Sequence, residues 1–176
     1  SLYEGVAVDF VEEWLPRFEA KTSDTDETWA PLLGVAQALQ ASDEELVAAL
    51  EPVLNVERFI TFWALEVILN HVDGYSGNRN NFQVYFDPAD GDRAVLIPWG
   101  IDKTPSGMDN FSLSGALYAE LPRRLSRNPE IAAAMVAELD NMMVDVWDAD
   151  VLIASVDSLE ALVEANGGGN PSVVEG

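Results

Sequence analysis

Apolar residues recur along this chain with two different periods, and the place where the period changes organises the rest of the reading. From Gly5 to Ala20 apolar positions alternate with acidic ones on a helical period, which predicts an opening helix broken or kinked at Pro16. KTSDTDETW is a polar connection. SDEELVAALEPVL opens with Ser42 and, three residues later, Glu45, a capping-box pair ahead of a helix. In NVERFITFWALEVILN, Asn55 is a plausible cap, and the run from Phe59 to Leu69 is apolar on nearly all sides, which predicts a buried central helix. The period then becomes two. FQVYFD and RAVLIPW flank PADGD, whose Asp-Gly pair marks a β-hairpin over residues 82–98. TPSGMDNFSLSG reads as a loop and SGALYAELPRRLSR as a weaker helix interrupted by Pro122. PEIAAAMVAELDNMMVDVW follows as a helix capped by Asn128, with Pro129 at its first position. Asp150 to Ala165 predicts the last helix, and residues 166–176 a flexible tail. The expected fold is mainly α with one β-hairpin.

Composition narrows the function classes. The 176 residues suit one domain or one large lobe, and a 48% hydrophobic content with five Trp and seven Phe is ample for a core. The chain has no cysteine, so disulfides and thiolate metal sites are impossible; with a single histidine, a zinc enzyme is a poor fit. Nine basic residues face 31 acidic ones, for a net charge of −22. A surface of that sign repels phosphate backbones and anionic lipid, so no nucleic-acid partner is expected. The acids are spread along the chain, as on a solvated face adapted to salt. No 18-residue apolar run is present, so no membrane insertion is expected, and no signal peptide is visible.

HVDGYSGNRNN, residues 71–81, is the stretch that carries chemistry. It joins the apolar helix to the first hairpin strand, a rigid mounting for exposed side chains. His71, Asp73 and Asn78 fit H-x-D-x-x-x-x-N, the spacing of a protein-kinase catalytic loop. Phosphoryl transfer needs those residue types. A carboxylate orients the acceptor hydroxyl, and a neutral amide oxygen helps to hold a metal without adding charge beside the phosphates. The order of features also matches a kinase C-terminal lobe: helix, loop, hairpin, then Asp102 in WGID. A purely structural origin also fits the loop. Asp73-Gly74 and Gly77-Asn78 are ordinary turn pairs, and a histidine at a helix end can meet the last carbonyls.

LYEG, FEAKTSDTD, the block FWALEVILNHVDGYSGNRNNFQVYFDP and IPWGID together resemble the spore-coat-protein-H (CotH) kinase family. The likeness covers much of residues 2–105. It implies a protein-kinase-like fold of α+β parentage, of which residues 1–165 would be the C-terminal lobe. The catalytic loop would be 71–81, the hairpin 82–98 and the metal-loop equivalent 99–105. It further implies an atypical kinase, secreted or at the cell surface, that uses ATP with magnesium or manganese to phosphorylate Ser or Thr of surface or coat proteins. Carried over by position, Asp73 is the catalytic-loop aspartate, Asn78 the metal-binding asparagine, and Asp102 the second aspartate of a P-W-D-x-D motif. Asn80 and Asn81 match the asparagines that follow, with loop structure or secondary ligation as their role and Asn81 counted among the nucleotide-binding residues. His71 would brace the loop. Tyr75 and Trp99 read as packing residues.

Two departures qualify the resemblance. The first aspartate of P-W-D-x-D is Gly100 here, so one carboxylate of the metal site is missing. No G-x-G-x-x-G is present, and of the two lysines Lys21 has no predicted strand around it. The N-lobe is therefore expected to be absent and to belong to a longer parent chain, leaving a C-lobe fragment too incomplete to bind ATP tightly alone. An active kinase and a pseudokinase that docks surface or envelope proteins both fit these residues. A calcium-linked acidic domain is the third reading, through DPADGD, which lacks the full ligand spacing and terminal Glu. Serine-hydrolase chemistry has no G-x-S-x-G to rest on.

Overall fold

The computed structural model describes residues 1–22, 29–103 and 115–166. The expected loop TPSGMDNFSLSG, except its last residue Gly115, and the tail beyond Asn166 lie outside the described residues. Strands are β1 (Leu2–Gly5), β2 (Glu19–Ala20), β3 (Phe82–Asp87) and β4 (Arg93–Pro98). Helices are α1 (Ala30–Ala38), α2 (Leu46–Leu50), α3 (Val56–Ile68), α4 (Tyr75–Asn78), α5 (Glu120–Leu125), α6 (Pro129–Asn141) and α7 (Ala149–Ala165). The chain is mainly helical, with one antiparallel sheet in the order β2-β1-β3-β4.

The hairpin forms as its turn chemistry predicts. Phe82 pairs with Pro98 and Asp87 with Arg93, and Gly91 takes the left-handed backbone that the turn needs. Phe82, Val84 and Phe86 point inward along β3, every second residue. The hairpin is, however, only half of the sheet. β1 pairs along β3 from Leu2↔Tyr85 to Gly5↔Phe82, and β2 adds two residues outside it. Gly5 is obligatory at this crossing, because a Cβ there would lie 2.3 Å from Phe82 ring atoms.

The opening helix predicted over residues 5–20 does not form. Ala7 has φ 51°, and only Glu12–Arg17 coil, as a 3₁₀ turn containing Pro16. Val8, Phe10, Leu15 and Phe18 still reach the core, from an irregular path, which is why their spacing imitates a helix. Lys21 is also flanked by strand, contrary to expectation. Its N–H donates to the Leu2 carbonyl at 2.9 Å, and its ammonium pairs with Glu4 at 2.5 Å and Glu19 at 3.0 Å. Glu4 first, then Glu19, raises the lysine above its ordinary range.

The central helix is α3. The Asn55 side chain caps it by accepting from the Arg58 N–H at 3.0 Å, and Phe59, Ile60, Phe62, Trp63 and Ala64 are buried. Ser42 and Glu45 bond to each other side chain to side chain, and α2 starts just beyond them. Pro122 falls in the first turn of α5, where its missing N–H breaks no helical bond, so the helix starts ahead of it. Asn128 caps α6 as predicted, accepting from Glu130 and Ile131.

Two units make up the chain, Ser1–Leu139 and Asp140–Gly176. The first holds the sheet, the central helix and the loop 71–81. In the second, a π turn (Met142–Val146) precedes α7, whose cap is the Asp148 side chain on the Val151 N–H. Among the described residues no helix is long and apolar enough to cross a membrane.

Candidate active site

The loop 71–81 leaves the C-terminal end of α3 and is gathered around Asp73. Asp73 Oδ1 accepts from Asn78 Nδ2 at 2.7 Å and from Asn80 Nδ2 at 3.3 Å, and Oδ2 accepts from Asn81 Nδ2 at 2.9 Å. Asn81 also donates to the Asp73 backbone carbonyl. Three asparagine side chains thus converge on the carboxylate singled out by sequence. Each spends an N–H on Asp73, so its amide oxygen turns elsewhere. Asn80 Oδ1 takes the Ala7 N–H at 3.3 Å, while Asn78 and Asn81 oxygens accept no hydrogen bond among the described residues. The loop closes through left-handed residues at Arg79 and Asn81.

What holds this loop is a buried carboxylate that the sequence reading passed over. Glu66 sits on the core face of α3 with its side chain fully buried. Its Oε1 accepts from the Tyr75 N–H and its Oε2 from the Ser76 N–H, both at 2.8 Å, which satisfies the first donors of α4. Gly74 makes that approach possible, because a Cβ there would lie 2.3 Å from Glu66 Oε1 and 2.6 Å from His71 Nδ1. The legible signal was one acid within FWALEVILN, a stretch otherwise apolar, since a buried acid needs partners.

His71 is 1% exposed and its Nδ1 lies 3.6 Å from Glu66 Oε1. The ring makes no hydrogen bond among the described residues, so the backbone does the bracing. The His71 N–H donates to the Glu66 carbonyl at 2.8 Å, and its carbonyl accepts from the Gly74 N–H at 2.9 Å.

A second buried acid, Asp9, ties distant segments to the loop. Oδ1 accepts from the Phe10 N–H and the Tyr75 hydroxyl, both at 2.8 Å, and Oδ2 accepts from the Glu120 N–H at 2.9 Å. Burial pushes the Asp9 carboxyl above its ordinary range, and these three bonds partly offset that. The Tyr75 hydroxyl is itself pushed well up, by burial and by Asp9 beside it. The Tyr75 ring packs among Phe10, Phe59, Phe62 and Phe82, the packing role expected of it.

The other flank of the loop meets the segment after β4. The Trp99 N–H donates to the Asn81 carbonyl at 3.0 Å, which sets Gly100 against Asn81. Gly100 has φ 59°, and a Cβ on it would lie 2.9 Å from Asn81 Cγ and Oδ1. Asp102 is exposed, in the short turn Ile101–Lys103, and Trp99 is half exposed where core was expected. Among the described residues no three His, Asp or Glu side chains cluster to cage a metal. The oxygens of Asn78, Asn81 and Asp102 are hard donors of the kind magnesium and manganese take. Such ions are usually held by one or two carboxylates together with substrate phosphates and waters, and Asp102 is the one carboxylate of these three residues.

The family model for CotH kinase protein matches residues 9–175. Invasin CotH2 of Rhizopus delemar is 25% identical over 130 residues, which is 70% of this chain and 21% of that protein. The chain therefore spans about a fifth of the length of this curated relative.

Proposed function

The chain belongs to the CotH kinase protein family, and from that premise we propose that loop 71–81 is the catalytic loop of an ATP-dependent protein kinase that phosphorylates Ser or Thr of surface or coat proteins. The observation that carries this reading is the convergence of the Asn78, Asn80 and Asn81 amides on Asp73. Three side-chain hydrogen bonds fix the orientation of the carboxylate before any substrate arrives. In this reading Asp73 orients the acceptor hydroxyl and receives its proton. The hydroxyl oxygen bonds to the γ-phosphorus while the bond to ADP breaks. Asn78 and Asp102 would hold magnesium or manganese, with Asn81 beside the nucleotide, and the ion would supply charge neutralisation at the transferring phosphate. His71 and Glu66 position the loop and do not touch substrate.

The same reading makes residues 1–165 the C-terminal-lobe part of a protein-kinase-like fold. A secreted or cell-surface location is supported by the word invasin in the relative's name. Gly100 favours a second reading, a pseudokinase that binds surface or envelope proteins. Its backbone and its approach to Asn81 suit a residue without a side chain, where a metal-binding carboxylate would otherwise stand. Calorimetric titration of ATP with magnesium or manganese into the longest natural form of the protein separates the two. Metal-dependent binding that is lost in Asp102→Ala is the expected result for a kinase, and no binding by the folded protein removes the kinase reading.

A further inference from the structure

Seven arginines occur in the chain, and five of them pair with carboxylates: Arg58, Arg93, Arg123, Arg124 and Arg127. Arg17 and Arg79 make no ion pair among the described residues, although the chain carries 31 acids. Both lie over the same ring. Arg79 Cζ is 4.8 Å from the Trp14 centroid and 4.3 Å from that of Tyr118, and Arg17 Cζ is 5.0 Å from Trp14. Arg79 also donates to the Tyr118 hydroxyl at 2.8 Å. Three separate segments build the stack. Trp14 and Arg17 come from the 3₁₀ turn, Arg79 follows Asn78 in the loop, and Tyr118 is fixed through its N–H to the Ser76 carbonyl at 3.0 Å.

Stacking engages the flat face of a guanidinium and leaves its in-plane N–H fork for a carboxylate or phosphate. Two cations against one indole, neither of them in an ion pair among the described residues, repel each other, and an arriving anion would relieve that repulsion. The stack also lies on a defined side of the loop. The Arg79 carbonyl accepts from the Val8 N–H at 3.0 Å and so faces the N-terminal segment, whereas the Asn81 carbonyl faces Trp99 and the Gly100–Asp102 turn. Asn81 and the Gly100–Asp102 turn thus meet on one side of the loop, and the N-terminal segment that carries Trp14 and Arg17 meets it at Arg79. Tyr118, 56% exposed, extends the patch with an aromatic surface suited to a peptide.

We infer that Arg79 and Arg17, stacked on Trp14 and Tyr118, form a docking site for an acidic side chain of the acceptor peptide, next to the phosphorylated residue. This rests on the reading of loop 71–81 as acceptor-facing. The peptide comparison needs no ATP, so its failure is distinct from a failure of phosphotransfer. Two labelled peptides are compared by fluorescence anisotropy, each with one central Ser flanked either by Glu or by Gln. The chain's net charge of −22 by itself predicts that the Gln peptide binds better. The docking site predicts the reverse order, by about tenfold. Arg79→Met, which keeps apolar contact with the rings, and Arg17→Ala, at an exposed position, should each abolish the preference with the melting temperature of Arg17→Ala unchanged. Equal affinity for the two peptides in the unmutated chain overturns the inference. So does a preference that survives both substitutions, or an Arg79→Met variant that loses metal–ATP binding while keeping its peptide preference, which would assign the stack to the nucleotide.

Discussion

Replacing Glu66 by glutamine changes one atom of a side chain that never meets water, and the structure sets the size of the effect. Both carboxylate oxygens accept backbone N–H groups at 2.8 Å, from Tyr75 and Ser76. Glutamine can satisfy one of them with its oxygen, but its amide group then presents donors to the other. A hydrogen bond to a charged acceptor contributes about 1.5–3 kcal/mol, and a buried donor left unsatisfied costs about 1–3 kcal/mol. The two figures overlap in part, because losing the bond is what orphans the donor, so Glu66→Gln should destabilise the protein by about 2–4 kcal/mol. At about 2–4 °C per kcal/mol for a chain of this size, the melting temperature should fall by roughly 4–16 °C. Urea denaturation followed by circular dichroism gives the free energy, and an unchanged m-value shows that the same cooperative unit is unfolding. Hydrogen exchange supplies the local readout, since the Tyr75 and Ser76 amides should lose protection first. A variant within about 0.5 kcal/mol of the parent, with both amides still protected, would refute the claim that Glu66 holds the loop.

Two further perturbations follow from the same network. The Asp9 carboxyl lies above its ordinary 3.8 in the folded state, so its contribution to stability is fully present below that value and is lost as pH rises through the folded value. Asp9→Asn abolishes the titration but sets an amide donor against the Glu120 N–H. Its destabilisation should therefore be largest near pH 4 and smaller at pH 7; a penalty that grows with pH would contradict the assignment. Asp43 and Asp90 are shifted the other way, mainly by Arg127 and Arg93 respectively, and lose their contributions only as pH falls below 3.8, outside that window. Gly100→Asp puts a side chain on a left-handed residue and against Asn81. Strain of this kind costs about 1–3 kcal/mol, so thermal melting should shift down by several degrees, and an unchanged or higher melting temperature would show that the turn has room for the carboxylate.

Local features were the legible ones. Asn55, Asn128 and the Asp-Gly turn act within a few residues of themselves, and the two periods of α3 and of the hairpin need no distant partner to be read. The grouping of Asp73 with Asn78, Asn80 and Asn81 was also legible, because all four lie within one loop. The two outer strands were not. β1 and β2 are four and two residues long, too short to display a period; β1 is placed by β3 far along the chain, and β2 pairs only with β1. Asp9 was hidden for the same reason: its partners Tyr75 and Glu120 are 66 and 111 residues away. Glu66 was hidden by its surroundings, one acid inside a helix whose apolar run made the whole segment read as core.

The most direct test of the catalytic-loop assignment is transfer of labelled γ-phosphate from ATP to protein Ser or Thr, in magnesium or manganese, by the longest natural form and by its Asp73→Asn variant. The account predicts transfer by the unmutated protein and a loss of about 10²–10⁴-fold in the variant, the range expected for removing a positioned acid–base group. Transfer that is undiminished in a folded Asp73→Asn protein would contradict it.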